Sequence, residues 1–345
     1  MRHFQRISKS FRRSEVMKKI LYEKSVSYRN PPQNLETKEL NLFEHEFKKE
    51  IKSSYIFFEK NIYAINTVFF SIHKFSYFND YSFFGDKTFI ERIKRVLKNI
   101  IRSSKKTELI NKGAWIVDNK SHVYFHWIFD ALERSELVTK DFKDYPLLIP
   151  EEFYEKNFVA ESLKHLKLNY IVLRKNQIYK IKELLITSKT AMSGNYNETI
   201  LRSLIDRFKN NFEYKSIPKK ENIFIYRDSK IGRDIENFVD IKPILDKHNY
   251  EIVDFEKYSF SEKISLLQGC KNLLGLFGSG LSNMIFLNKG NNLIEIRNEN
   301  DDKNNAFFTL ASACSLNYYY LFFKINEKGC YVDPSVLDNL LKKLK

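Results

Sequence analysis

Residues 273–286 read LLGLFGSGLSNMIF. An apolar run of strand length, Leu273–Leu276, passes through Phe277-Gly278-Ser279-Gly280 into a stretch whose apolar residues recur at helical spacing. Glycine, lacking a Cβ, lets the backbone approach a ligand closely, and the helix that follows aims its unpaired N–H groups at whatever sits there. Such a turn suits a diphosphate. It also suits a tight strand-to-helix connection with no ligand. It lacks the Lys-Ser/Thr of a P-loop and the full Gly-x-Gly-x-x-Gly dinucleotide fingerprint. Five of the ten glycines (Gly269, Gly275, Gly278, Gly280 and Gly290) fall within this short region, which makes it the centre of the reading.

Around it the chain alternates. Apolar runs occur at Ile223–Tyr226, Ile252–Phe255, Leu273–Leu276, Leu293–Ile296 and Tyr318–Phe323, with helical stretches near 235–248, 261–269, 280–288, 303–316 and 335–344. Strands that read as continuous apolar runs, separated by helices, indicate a parallel sheet covered on both faces: an α/β, doubly wound C-terminal domain. Ligands of such sheets bind at the carboxyl ends of the strands. Arg227 closes the first run and Arg233 follows it. Guanidinium is well matched to phosphate, although surface arginine is equally ordinary in so basic a chain. Glu295 lies inside the fourth run, where an acidic group can hold ribose hydroxyls or, if buried, needs a partner.

Upstream, residues 111–134 read NKGAWIVDNKSHVYFHWIFDALER. Phe125, Ile128, Phe129 and Leu132 form a helical stripe, and on that helix His126 and Asp130 are four apart, one turn from each other. An imidazole beside a carboxylate is a candidate proton-transfer pair; the alternative is a His and an Asp that satisfy ordinary helix hydrogen bonds. Residues 55–84 are aromatic and β-branched and read as strands. Residues 87–103 read as an amphipathic helix, either packed on the protein's own core or lying on anionic lipid. Residues 1–30 carry nine Lys/Arg against two Glu and precede Pro31-Pro32, so they read as a basic arm, either solvated or drawn to an anionic surface.

Composition bounds the answer. The 345 residues predict about two domains. With 43% hydrophobic residues and 15% aromatic, a sizeable core is available, and wholesale disorder is excluded. A net charge of +15 draws attention to acidic partners, but no nucleic-acid motif accompanies it. Three scattered cysteines make neither a disulfide framework nor a zinc site. No apolar run reaches the ~20 residues of a membrane span, and no signal peptide is evident, so a cytoplasmic location, with room for a peripheral membrane association, is expected.

Four blocks together resemble glycosyltransferase family 61, often described as capsular polysaccharide biosynthesis proteins. The family block Asn-Tyr-Tyr-His-Trp-Leu-x-Asp-x-Leu-Pro-Arg is similar to Tyr124–Arg134, with His126, Trp127, Asp130, Leu132 and Arg134 in register and Glu133 in place of Pro. Arg227, Arg233, Ile235 and Asn237 match a second block, in which Phe238 replaces Glu. Phe260–Ile264 resembles a third. Phe277–Met284 resembles His-Gly-Ala-Gly-Leu-x-Asn-Met, with Phe277 at the family's His, and Glu295 matches the Glu of the strand beyond. The likeness covers roughly residues 110–345.

The resemblance implies a GT-B-like fold: two Rossmann-like domains facing a cleft, here an acceptor-side domain over 31–215 and a nucleotide-sugar-binding domain over 216–345. It implies inverting transfer without a metal or other cofactor, and the chain contains no Asp-x-Asp triplet. His126 and Asp130 are then the candidate catalytic residues. Arg227, Arg233, Asn237, Gly278, Ser279, Gly280, Asn283 and Glu295 are the candidate donor-binding residues. The implied partners are a nucleotide-sugar donor, a glycan or lipid-linked acceptor and an anionic membrane surface, with no nucleic acid. Two other classes stay open: a relative without turnover that serves as an assembly protein, and a basic nucleic-acid-binding α/β protein.

Overall fold

A computed structural model of the chain describes residues 18–71, 76–77, 91, 94, 97–98, 101, 106–211, 217–226, 235–301, 303–326 and 329–344. The fold is mixed α/β, with parallel strands in both of its large sheets. The first sheet contains β1 (Lys19–Tyr22), β4 (Ser54–Ile65), β5 (Val68–Ser71), β6 (Ser76–Tyr77), β7 (Glu108–Trp115), β8 (Leu147–Pro150), β9 (Tyr170–Leu173) and β10 (Ile178–Thr187). Between β1 and β4, β2 (Ser25–Tyr28) and β3 (Lys48–Ile51) form a separate antiparallel ribbon.

Of the aromatic stretch 55–84 expected to form strands, the described residues 55–71 and 76–77 do so, in β4, β5 and β6, and 72–75 and 78–84 lie outside the described residues. β4 and β5 meet across the two-residue turn Asn66-Thr67, Ile65 pairing with Val68. Asn66 supplies the left-handed backbone that tight hairpins require, with φ 54°. β4 runs antiparallel to β10, and β10 runs parallel to β7. β7 touches β8 through the single pair Ala114–Leu147. This sheet is therefore mixed: β10, β7, β8 and β9 are mutually parallel, and the carboxyl ends of the neighbours β7 and β10 lie together. Of the amphipathic stretch 87–103, only Glu91, Lys94, Leu97, Lys98 and Ile101 are among the described residues; they are helical, with Leu97 and Ile101 exposed.

The second sheet holds β11 (Asn222–Ile225), β12 (Tyr250–Val253), β13 (Asn272–Leu276), β14 (Asn292–Asn298), β15 (Asn317–Asn326) and β16 (Gly329–Val332), in the order β12-β11-β13-β14-β15-β16. The first five are mutually parallel, and the antiparallel β16 closes the edge. This order turns around between β11 and β13, the place where doubly wound sheets bind ligands. Helices Phe238–Lys247, Phe260–Gln268, Ala306–Ala313 and Pro334–Lys342 and the 3-10 run Ser279–Phe286 occupy the intervals read as helical.

Register in this sheet has a visible cause. Four parallel strands begin with asparagine, and these stack: Asn272 donates to Asn222 (2.7 Å), Asn292 to Asn272 (2.6 Å) and Asn317 to Asn292 (3.1 Å). A one-residue slip of any strand would break the ladder and turn its apolar face over. Gly275 lets the 279–286 run approach the sheet, because a Cβ there would lie 3.1 Å from Leu281 and 3.2 Å from Ile225. Buried residues of both sheets, from Ile56 and Trp115 to Leu273 and Tyr318, form one continuous core.

Candidate active site

The helical run over 124–139 is not uniform. Tyr124–His126 is α-helical, Trp127–Ala131 is wound as a π-helix and Leu132–Ser135 as 3-10. Single π turns of this kind often mark functional positions. Trp127 anchors the run by donating from its indole to Ser162 at 2.8 Å. His126 and Asp130 meet as their spacing predicts, Nδ1 lying 2.5 Å from Oδ2. A carboxylate accepts, so the ring proton is assigned to Nδ1, and Nε2 becomes the acceptor. Ser193 donates to the same Asp130 oxygen at 2.9 Å.

Behind this pair lie two buried ionisable side chains, Arg134 and Glu133. Arg134 is buried and donates to Thr187 through Nε (2.8 Å, to Oγ1) and Nη2 (2.6 Å, to the carbonyl). Burial pushes its guanidinium down to about 10, against the pull of Asp118 and Asp130, so it stays charged at neutral pH. Glu133 is fully buried. Burial holds its carboxyl well above the usual range, Thr190 opposing and Asp130 adding to the rise. Burial thus favours the protonated form of Glu133.

His126 and Ser193 line a cavity of about 640 Å³. Its wall is built from segments that follow the carboxyl ends of four parallel strands: Lys120 and Phe125 after β7, Ser193 and Asn195 after β10, Phe277, Gly278 and Ser279 after β13, and Lys303 and Phe307 after β14, with Glu46 added from the N-terminal region. An aromatic wall joins its two halves. Phe125 stands edge-on to His126 (5.3 Å), Phe307 packs against Phe125 (5.7 Å) and Phe277 against Phe307 (5.3 Å). The position where the resemblance expects histidine therefore packs on aromatic neighbours.

The structure brings His126, Gly278 and Ser279 to one cavity, with Asp130 buried behind His126. Asn283 ties the two blocks together, accepting from the Tyr124 hydroxyl at 2.8 Å and donating to the Gly280 carbonyl at 2.8 Å. Burial raises the Tyr124 phenol, so it remains a donor. Gly280 faces a smaller hollow beside Ile225 and Tyr226, and a Cβ there would lie 3.2 Å from the Ile225 side chain. Arg227 and Arg233 lie outside the described residues.

Two other candidates sit apart from the cavity lining. Asn237 spends its carboxamide on the backbone of Val332, donating at 2.8 Å and accepting at 3.0 Å. Glu295 is 1% exposed and accepts from the Tyr318 hydroxyl at 2.5 Å. Burial, opposed by Arg297 and that hydrogen bond, pushes its carboxyl up to about 7. Sequence reasoning passed over Ser193, Asn195, Glu46, Lys120 and Lys303. All but Glu46 follow a parallel strand, and that position is the one cue they share. Among the described residues no group of three or more His, Cys, Asp or Glu side chains could hold a metal ion, and no helix is long and apolar enough to cross a membrane.

Two sheets thus deliver an imidazole–carboxylate pair and a glycine-serine turn to one cavity region. Residues 124–294 match the family Glycosyltransferase 61, and through that span the chain belongs to glycosyltransferase family 61, whose members transfer a sugar from a donor to an acceptor. No curated protein matches the chain.

Proposed function

We propose that this protein is an inverting glycosyltransferase that needs no metal, moving a sugar from a nucleotide-sugar donor to a glycan or lipid-linked acceptor in the synthesis of bacterial surface polysaccharide. The two sheets would form the two Rossmann-like domains of a GT-B-like enzyme, residues 31–215 serving the acceptor and 216–345 the donor, at the cytoplasmic side of an anionic membrane. The acceptor hydroxyl attacks the anomeric carbon while the bond from that carbon to the diphosphate oxygen breaks. The hydroxyl proton passes to His126 Nε2, and Asp130 holds the ring and balances the imidazolium. The diphosphate leaves with the bonding electrons. Lys120 and Lys303, which line the cavity with Gly278 and Ser279, offset its charge, a role the sequence also offers to Arg227 and Arg233.

The observation that carries this reading is the 2.5 Å His126–Asp130 contact on a wall shared with Gly278 and Ser279. A thermal-shift panel of nucleotide sugars identifies the donor, since a ligand at a hundredfold excess over its Kd stabilises by ~2.7 kcal/mol. With that donor, His126→Ala and Asp130→Ala should each lower turnover by ~10²–10⁴ with nucleotide affinity kept. Variants that retain most of their turnover refute the assignment. A wild-type protein that binds a nucleotide sugar and neither transfers nor hydrolyses it favours the assembly-protein reading, to which Phe277 in the aromatic wall lends support.

A further inference from the structure

One arginine counted above in the basic arm is in fact buried, following the strands β1 and β2 in the same stretch, and it organises one wall of the cavity. Arg29 is 6% exposed and splits its two terminal nitrogens between residues from distant parts of the chain. Nη1 donates to the Glu46 carboxylate at 2.9 Å and to the Glu46 carbonyl at 2.7 Å; Nη2 donates to Asn195 Oδ1 at 2.7 Å. Both recipients line the cavity. We propose that Arg29 sets Glu46 and Asn195 as an acceptor–donor pair that reads two adjacent hydroxyls of a sugar ring. The proposal rests on the reading of this cavity as a sugar-transfer site and names the residues that choose the sugar.

The chemistry follows from which atoms Arg29 occupies. With Oδ1 facing a guanidinium, the Asn195 amide cannot flip, and its Nδ2 is left as a double donor with no partner among the described residues. The Glu46 carboxylate accepts from Arg29 and, on its other oxygen, from Lys49 at 3.1 Å, and each oxygen can take a further donor. One sugar hydroxyl can therefore donate to Glu46 while its neighbour accepts from Asn195.

The backbone at Asn195 is fixed from three sides. Its N–H donates to the Met192 carbonyl at 2.8 Å, Thr309 donates to the Gly194 carbonyl at 2.6 Å, and Tyr196 donates to the Ala306 carbonyl at 3.2 Å. Gly194 makes this turn with φ +83°, a conformation that side chains rarely adopt. The pair is thus rigid before any ligand arrives, which is what hydroxyl discrimination requires, because a buried polar pair left unmatched by the wrong sugar is penalised. Phe125, Phe277 and Phe307 add an aromatic surface suited to the C–H face of the ring.

The test measures sugar binding without turnover. Wild type, Glu46→Gln and Asn195→Ala are titrated with methyl glycosides of glucose, mannose, galactose and xylose by saturation-transfer NMR, and with UDP and the corresponding UDP-sugars by calorimetry. The wild type should bind at least one sugar form, and each variant should weaken it about tenfold, the loss of one hydrogen bond, with UDP affinity kept; Asn195→Ala, which leaves the buried Arg29–Glu46 ion pair in place, separates loss of sugar contact from loss of stability. If the hydroxyls belong to the donor, the variants erase the gain of a UDP-sugar over UDP; if they belong to the acceptor, only the glycoside weakens. Variants that bind every sugar form as the wild type does, or a wild type that binds none, overturn the proposal. A His126→Ala protein serves as the control for the transfer reading, because it should keep sugar binding while losing turnover.

Discussion

Glu295 offers a quantitative check on how the second sheet is held. Its carboxyl is buried against Tyr318, and burial lifts it from 4.5 to about 7. A carboxyl raised in the folded state keeps its proton after the unfolded chain has released it. Stability from this site is therefore complete below pH 4.5 and declines as pH rises toward 7, reaching its low plateau above that. With those two values, the linkage relation gives a loss of about 2.5 kcal/mol between pH 5 and pH 8. Glu295→Gln keeps the shape and the acceptor for Tyr318 but cannot ionise. Urea denaturation of both proteins at pH 5 and pH 8 isolates the effect, because every other titrating group, Glu133 included, is common to both. The variant should gain about 2.5 kcal/mol on the wild type between the two conditions. Equal pH dependence in the two proteins would refute the reasoning, and with it the claim that Glu295 is a buried structural acid instead of a ribose ligand.

The remaining predictions concern packing and register. Asn272→Ala removes the middle rung of the asparagine ladder, losing the bonds to Asn222 and Asn292, and should destabilise by about 1–3 kcal/mol in denaturant melts; an unchanged midpoint would show that the ladder does not hold the strands. Gly113→Ala places a Cβ 2.7 Å from Leu148, and the crowding should destabilise by about 1–3 kcal/mol, read by calorimetry. Ser259→Ala removes the capping box of the helix Phe260–Gln268 and should lower stability by about 1 kcal/mol, with Glu262 unable to compensate alone.

What the chain discloses by itself is whatever is local and periodic. Buried parallel strands are unbroken apolar runs, so β11 to β15 could be placed before any coordinates. A helix repeats every 3.6 residues, so the contact of His126 with Asp130 was legible from their spacing, even though the turn between them is π-wound. The Gly-Ser turn was visible because glycine is rare in this sequence.

Tertiary structure alone decided the rest. Gly280 stood in the turn read as suited to ligand approach; the structure adds that a Cβ there, or at Gly275, would crowd Ile225, a steric requirement that no one-dimensional pattern encodes. Asn237 and Glu295 carry the right chemistry for a ligand, but burial against Val332 and Tyr318 assigns them to the sheet. Ser193, Asn195 and Glu46 sit in connecting segments that have no period. They become site residues only because separate strands end at the same cavity and because one arginine near the start of the chain reaches two of them. Local propensity reaches a few residues along the chain, whereas a binding wall is made of residues more than a hundred positions apart.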